Sequence, residues 1–179
     1  MPLRQHRKSG WPRPSHSWML PALCGQNNWK AMSKDFADFL DSLNNEGVVY
    51  VVIGGMAVLR LVPYRTTRDI DVLIEPTLEN AVRARRAVIR WGGQEPDFSV
   101  EDFISGDILS FGGLLRVEIH SRVPGADWDG VWARRETGLF QGVPTAFASL
   151  QDLILMKTAA GRPEKDLPDL RRLKKLAGE

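Results

Sequence analysis

The sequence predicts an α+β fold (α/β mixed), in which a small mixed β-sheet carries helices mainly on one face and further helices follow at the C-terminus. Helical and strand patterns alternate along most of the chain. Two β-branched runs, residues 48–53 and 69–75, have the length and composition of strands. Two later runs flank Gly112 and Gly113, and this arrangement is typical of a hairpin.

The first half of the chain contains three predicted helices and two predicted strands. Ser33 is a suitable cap for a helix that ends near Gly47, because Phe36, Phe39 and Leu43 recur on one stripe. The elements that follow are a strand at residues 48–53, a short helix at 56–61, a strand at 69–75 and a helix from 77 to the glycines at 92–93.

The second half is predicted to form the hairpin, a short strand and three helices. Residues 94–106 have no clear pattern. The predicted elements are strands at 108–111 and 114–120, a helix at 128–136, a strand at 143–147, a helix capped by Ser149 that ends near Ala160, and a last helix at 165–176.

Charge and composition divide the chain into two parts. Five of the 24 basic residues, but none of the 22 acidic residues, lie in residues 1–31, so the remainder has a net charge of −3. We therefore expect a proline-rich basic tail at residues 1–31, which is disordered or results from a start codon assigned upstream of the true one. Residues 32–179 are expected to form a single domain. A basic arm that binds nucleic acid is the alternative for the tail.

A cytoplasmic location without membrane insertion is expected. Cys24 is the only cysteine, so neither an intrachain disulfide nor a cysteine zinc site is available, which is typical of a reducing compartment. The uncharged stretch at residues 47–59 is too short to span a bilayer and is interrupted by glycines.

Two aspartates on one strand are the strongest chemical signal. Asp69 and Asp71 are two residues apart, so their side chains lie on the same face, whereas Ile70 and Val72 face the core. Paired carboxylates favour a hard divalent cation such as Mg²⁺ or Mn²⁺. Two solvated acids at the start of a strand are the alternative.

A glycine pair precedes these aspartates. Gly54 and Gly55 follow the first strand and begin a helix, where backbone N–H groups can bind a phosphate. A purely structural turn is compatible with the same residues.

The pattern Gly54-Gly55…Asp69-x-Asp71 resembles the nucleotidyltransferase superfamily that includes DNA polymerase β. The residues around it, with Asp152 to Lys157 and Arg162 to Leu170, are similar to small bacterial nucleotidyltransferases related to the AbiEii-type toxins of toxin–antitoxin systems. The resemblance covers roughly residues 33–175 and implies a nucleotidyltransferase core.

The resemblance also implies a set of site residues. Asp69, Asp71 and Glu118 would bind the metal; Glu118 stands where the family usually has aspartate, and its alternative is an exposed acid paired with Arg116. The implied catalytic residues are Asp69, Asp71, Glu118 and Lys157, and the implied nucleotide-binding residues are Gly54, Gly55, Arg65, Thr67, Arg68, Arg162 and Asp166.

Several of these residues have simpler interpretations. Arg68 can be a solvated charge, Lys157 can extend to solvent from an apolar helix face, and Asp166 can orient Lys157 or Arg162 or cap the last helix. His120 shares a strand face with Glu118, but a lone histidine indicates no zinc site, and we assign it no role from the sequence.

The implied reaction is metal-assisted transfer of a nucleoside monophosphate from an NTP to a hydroxyl acceptor, with release of pyrophosphate. The acceptor would be tRNA, a protein or a small molecule, and an antitoxin protein would be a further partner. A catalytically degraded module that binds a nucleotide or a partner is the alternative, as is an unrelated α+β domain.

Overall fold

The structure is a computed structural model that describes residues 8–9, 27–62, 67–112 and 115–179, with side chains from residue 34 onward. Its seven-stranded sheet has the order β1-β4-β5-β3-β2-β7-β6. The strands are β1 (Lys8–Ser9), β2 (Tyr50–Ile53), β3 (Asp69–Ile74), β4 (Leu109–Gly112), β5 (Arg116–His120), β6 (Glu136–Phe140) and β7 (Val143–Phe147).

The sheet is mixed, as predicted. Strand β3 lies between β2, which is antiparallel to it, and β5, which is parallel to it. Strands β4 and β5 form the predicted antiparallel hairpin around Gly112. The α+β fold class is therefore confirmed, and the central strand of the sheet is the one that carries Asp69 and Asp71.

Six α-helices and one 3₁₀ helix complete the described part of the fold. They are α1 (Asn27–Asn45), α2 (Gly54–Leu61), α3 (Leu78–Gly92), the 3₁₀ helix (Glu101–Ile104), α4 (Trp128–Arg134), α5 (Leu150–Ala159) and α6 (Pro163–Ala177). Helices α1 and α3 pack together, as do α5 and α6, and α2 contacts both α5 and α6.

The core forms on the apolar faces that the sequence predicts. In α1, Phe36, Phe39 and Leu43 are buried, and all four residues of β2 are buried. In β3, Ile70 and Val72 are fully buried, whereas the two aspartates are partly exposed on the other face. The period of two in β3 thus separates the core from the candidate site.

A buried asparagine fixes α3 against the sheet. The side chain of Asn80 accepts a hydrogen bond from the Val49 N–H at 2.8 Å and donates to the carbonyls of Val49 and Glu75. The Asn80 side chain thus reinforces the end of the β2–β3 pair, where the Glu75 N–H also donates to the Val49 carbonyl.

The structure differs from the sequence-based prediction in two strands, β1 and β6, and in several boundaries. The predicted helix at 128–136 ends at Arg134, and Glu136–Phe140 is a strand that the sequence analysis missed. It pairs with β7 through a turn in which Gln141 (φ 50°) and Gly142 (φ 87°) both have positive φ. Two such residues match the twist of antiparallel strands, so tertiary pairing decides this segment.

Boundaries elsewhere differ by a turn or less from those predicted, apart from the first helix. Helix α1 begins at Asn27, before the predicted cap at Ser33, and α6 begins at Pro163. The predicted tail at residues 1–31 falls largely outside the described ranges, so the division at residue 32 stays a prediction. None of the helices in the described residues is both long enough and apolar enough to cross a membrane.

Candidate functional site

The turn between β2 and α2 is built around Gly54. This residue has φ +62°, and a Cβ placed on it would lie 2.1 Å from Oδ2 of Asp71. Both facts require glycine, because a side chain would be strained in this conformation and would collide with the carboxylate. The glycine therefore lets the backbone and the Asp71 carboxylate approach each other closely.

The register between β3 and β5 places the predicted carboxylates side by side. Asp71 is paired with Glu118, and Asp69 is paired with Arg116. Parallel neighbours in register present their side chains on the same face of the sheet. The family resemblance implies that Glu118 and Asp71 bind one metal, and the strand pairing places the two residues next to each other.

A cluster of three side chains forms at this position. Asp71, Glu118 and His120 each offer a ligand atom, and the three atoms all lie within 4.8 Å of one another. Nε2 of His120 lies 3.4 Å from Oδ1 of Asp71, and Oγ of Ser110 donates to Oε1 of Glu118 at 3.3 Å. We call Asp71, Glu118 and His120 the carboxylate–histidine cluster.

The surroundings of Asp71 favour its ionised form. Burial raises the pKa of this carboxyl, but its hydrogen bond and electrostatic interaction with His120, its interaction with Glu118 and a hydrogen bond from the Gly55 N–H hold the pKa below its usual value. The N-terminus of α2 adds a favourable positive potential. Asp71 is thus a carboxylate that is available to bind a cation.

Asp69 lies apart from the cluster. Its side chain is 38% exposed, and its Oδ1 lies 3.9 Å from Nε of Arg116. The same guanidinium lies 3.6 Å from Glu118, whose side chain is only 14% exposed. The predicted pairing of Glu118 with Arg116 is therefore present, but Glu118 is a largely buried acid rather than an exposed one.

The predicted phosphate-binding loop is only partly described. Arg65 lies outside the described residues. Oγ1 of Thr67 forms hydrogen bonds with the backbone of Asp69, so it shapes the entry to β3. Arg68 is exposed, and its carbonyl accepts a hydrogen bond from the Arg116 N–H.

Lys157 belongs to a second group of charges between α5 and α6. Its Nζ lies 2.8 Å from both Asp166 and Asp169, and its side chain is 9% exposed. Nε of Arg162 donates to Asp166 at 3.1 Å. Of the predicted alternatives, Asp166 orients Lys157 and Arg162, whereas the N-cap residue of α6 is Arg162. The alternative in which Lys157 extends to solvent is wrong, because its ammonium group is buried among carboxylates.

The architecture is similar to that of a solved structure. The solution structure of the antibiotic-resistance factor ANT(2'')-Ia, an aminoglycoside nucleotidyltransferase, is similar to this chain with a TM-score of 0.55. The similarity covers 83% of this chain and 85% of the other, at 12% identity. The fold is a nucleotidyltransferase-like core. No protein-family model and no curated protein matches the sequence.

The donor set of the nucleotidyltransferase-like core suits a divalent metal ion. Two carboxylates and one imidazole converge from neighbouring strands, and the absence of a side chain at Gly54 leaves room for the Asp71 carboxylate to take this position. Carboxylate oxygens suit Mg²⁺ and Mn²⁺, and imidazole nitrogen suits transition metals. The residues present therefore fit the metal that the fold class implies.

His120 is the member of the cluster that the sequence analysis did not assign. The available signal was its position two residues after Glu118, which puts both side chains on one face of β5. That signal was insufficient, because only the pairing of β5 with β3 brings the imidazole to Asp71. The predicted metal set of Asp69, Asp71 and Glu118 shares two members with the cluster.

Proposed function

We propose that this protein is a metal-dependent nucleotidyltransferase that moves a nucleoside monophosphate from an NTP to a hydroxyl acceptor. The observation that carries the proposal is the carboxylate–histidine cluster beside the glycine turn of a nucleotidyltransferase-like core. The proposed cofactor is Mg²⁺ or Mn²⁺, which when bound would neutralise the charge of the triphosphate.

Each part of the site has a proposed task. Asp71 and Glu118 hold the metal, and Asp69, at the more exposed end of the strand, contributes to the same face. The backbone N–H groups of Gly54 and Gly55 at the N-terminus of α2 bind phosphate oxygens. Glu118 accepts the proton of the attacking hydroxyl, which then attacks the α-phosphorus, and pyrophosphate leaves.

Basic residues complete the proposed nucleotide site. Arg65, Thr67 and Arg68 precede β3 and would contact the triphosphate. Lys157 would do so by exchanging its ion pairs with Asp166 and Asp169 for a phosphate. Asp166 and Arg162 would act on Lys157, because both share its buried ion-pair group. The acceptor is proposed to be tRNA, a protein or a small molecule, and a toxin role with an antitoxin partner rests on the sequence resemblance.

The test is incubation of the protein with Mg²⁺ or Mn²⁺ and each α-labelled NTP, with bulk tRNA, cell lysate or a panel of polyhydroxylated small molecules including aminoglycosides. We expect label on one acceptor class with the wild type and none with Asp71→Asn. The matched control is Asp97→Asn, which changes an exposed aspartate distant in sequence from the site and should transfer as well as the wild type.

Two other outcomes would count against the proposal. Equal transfer by wild type and Asp71→Asn would show that the cluster is not the catalytic site. Metal-dependent NTP binding that Asp71→Asn abolishes, without transfer to any acceptor tested, would instead support a binding module with the same fold.

A further inference from the structure

The imidazole of His120 is the least expected member of the cluster. Its residue is only 8% exposed, although it lies in a strand beside two carboxylates. Its Nε2 is directed at Oδ1 of Asp71, at 3.4 Å, and lies within 4.8 Å of a carboxylate oxygen of Glu118. A buried imidazole whose nitrogen faces two acids is placed either to pair with them or to share a cation with them.

Asp69 does not occupy the position that His120 fills. Asp69 is paired in register with Arg116 and lies 3.9 Å from its guanidinium, on the more exposed side of the site. Arg116 also lies 3.6 Å from Oε1 of Glu118, so its positive charge neutralises Asp69 and part of the charge of Glu118. The inner part of the site, around Asp71, is left with two oxygen donors and one nitrogen donor.

We infer that His120 is a metal ligand through Nε2. This nitrogen ligand would make the site bind a first-row transition metal, such as Mn²⁺, in preference to Mg²⁺. The inference deepens the proposed function and rests on it for the presence of a metal. Imidazole nitrogen is a good donor to transition metals, whereas Mg²⁺ prefers carboxylate, carbonyl and water oxygens in strict octahedral geometry. Nε2 binds in its unprotonated form, with the proton on Nδ1.

The experiment uses the full chain loaded with Mn²⁺ and pulsed electron paramagnetic resonance, which detects magnetic coupling between Mn²⁺ and a bound nitrogen. We expect ¹⁴N coupling in the wild type, replaced by ¹⁵N coupling in protein grown with ¹⁵N-labelled histidine. His6 and His16 are the chain's other histidines, so the double variant His6→Asn/His16→Asn is the control and should keep the signal. Loss of the coupling in that control would overturn the assignment to His120.

Calorimetric titration provides the second readout. For His120→Asn and His120→Gln we expect the Mn²⁺ affinity to fall by about 10-fold or more. The Mg²⁺ affinity should change less, so the ratio of Mn²⁺ affinity to Mg²⁺ affinity should decrease. Circular dichroism checks that both variants are folded. The labelled wild type needs no substitution, so it decides the assignment even where a variant does not fold.

The outcomes separate this inference from the proposed function. Nucleotidyl transfer with bound Mn²⁺ but no histidine nitrogen coupling would overturn the inference and leave the transferase proposal standing. Histidine coupling without transfer would support the ligand assignment while the transferase proposal fails its own test. Absence of any divalent metal binding by the wild type would overturn both.

Discussion

Gly54, which follows β2, lies directly against Asp71, the candidate metal ligand on β3. Gly54 has a positive φ and leaves room for a carboxylate that a Cβ would displace, because the two would be 2.1 Å apart. Gly47 has a similar φ of +68°, but nothing lies within 4 Å of its Cβ position. These two glycines differ in surroundings rather than in backbone conformation, so they form a matched pair for mutation.

We therefore predict that Gly54→Ala abolishes metal binding, whereas Gly47→Ala retains it. Both substitutions should lower the free energy of unfolding by about 1–2 kcal/mol for the left-handed conformation. Gly54→Ala should lower the free energy of unfolding further than Gly47→Ala, because its Cβ also displaces the Asp71 carboxylate. Denaturant unfolding and Mn²⁺ titration measure the two effects, and equal metal affinity in both variants would contradict the role given to Gly54.

At the scale of secondary-structure elements, buried charges hold α5 and α6 together. Lys157 lies between Asp166 and Asp169, and both aspartates are buried. We predict that Lys157→Met destabilises the fold by about 3–5 kcal/mol, since it leaves carboxylates buried without this cation. Lys165→Met, at an exposed position of α6, should change stability by no more than about 0.5 kcal/mol. Comparable stabilities for the two variants in chemical denaturation would contradict this prediction.

The same helix pair should contribute to acid denaturation. Burial raises the pKa of Asp166, but Lys157 and Arg162 hold it below its ordinary value of 3.8. A lowered folded-state pKa means that the unfolded chain takes up protons first, so stabilisation is complete above the ordinary value and is lost as the pH falls through the folded-state pKa. We predict a smaller loss of stability on acidification for Asp166→Asn than for the wild type, measured by unfolding at several pH values below about 6. Parallel pH profiles would show that Asp166 does not carry this dependence.

Helix α5 carries Lys157, and its N-terminus is held by a local cap. Oγ of Ser149 accepts a hydrogen bond from the Asp152 N–H at 3.1 Å and donates to the Asp152 side chain at 2.6 Å. We predict that Ser149→Ala lowers the free energy of unfolding by about 0.5–2 kcal/mol. Thermal and denaturant unfolding check this value. The control Ser149→Asp keeps a capping acceptor but sets a charge beside Asp152, so it should restore only part of the loss.

At the scale of the whole molecule, β1 contributes little pairing to the sheet. Lys8 and Ser9 pair only with Leu109 and Ser110 of β4, and the next described residues begin with α1 at Asn27. We predict that residues 27–179 fold without the preceding segment and lose no more than about 1 kcal/mol. Circular dichroism and unfolding of the truncated and full chains measure the difference. An unfolded truncated chain would show that the domain needs residues before Asn27.

Sequence patterns predicted the parts of the fold that depend on local periodicity. The stripe of Phe36, Phe39 and Leu43 and the alternation in β3 fixed which faces are buried, because their spacing matches the geometry of a helix and of a strand. Strand β6 was missed since Glu136–Phe140 carries no clear alternation and forms only by pairing with β7.

What the sequence by itself determined is the α+β class, the glycine turn and the two aspartates on one face, because each depends on neighbours within a few residues. Tertiary structure alone decided which donors meet. Asp71 and Glu118 become neighbours through the parallel register of β3 and β5. The same register places Asp69 opposite Arg116, and His120 is the third residue that approaches Asp71 and Glu118. The alternating pattern of each strand fixes which side chains face the core, but the choice of partner strand and of opposite residues depends on packing between segments far apart in sequence.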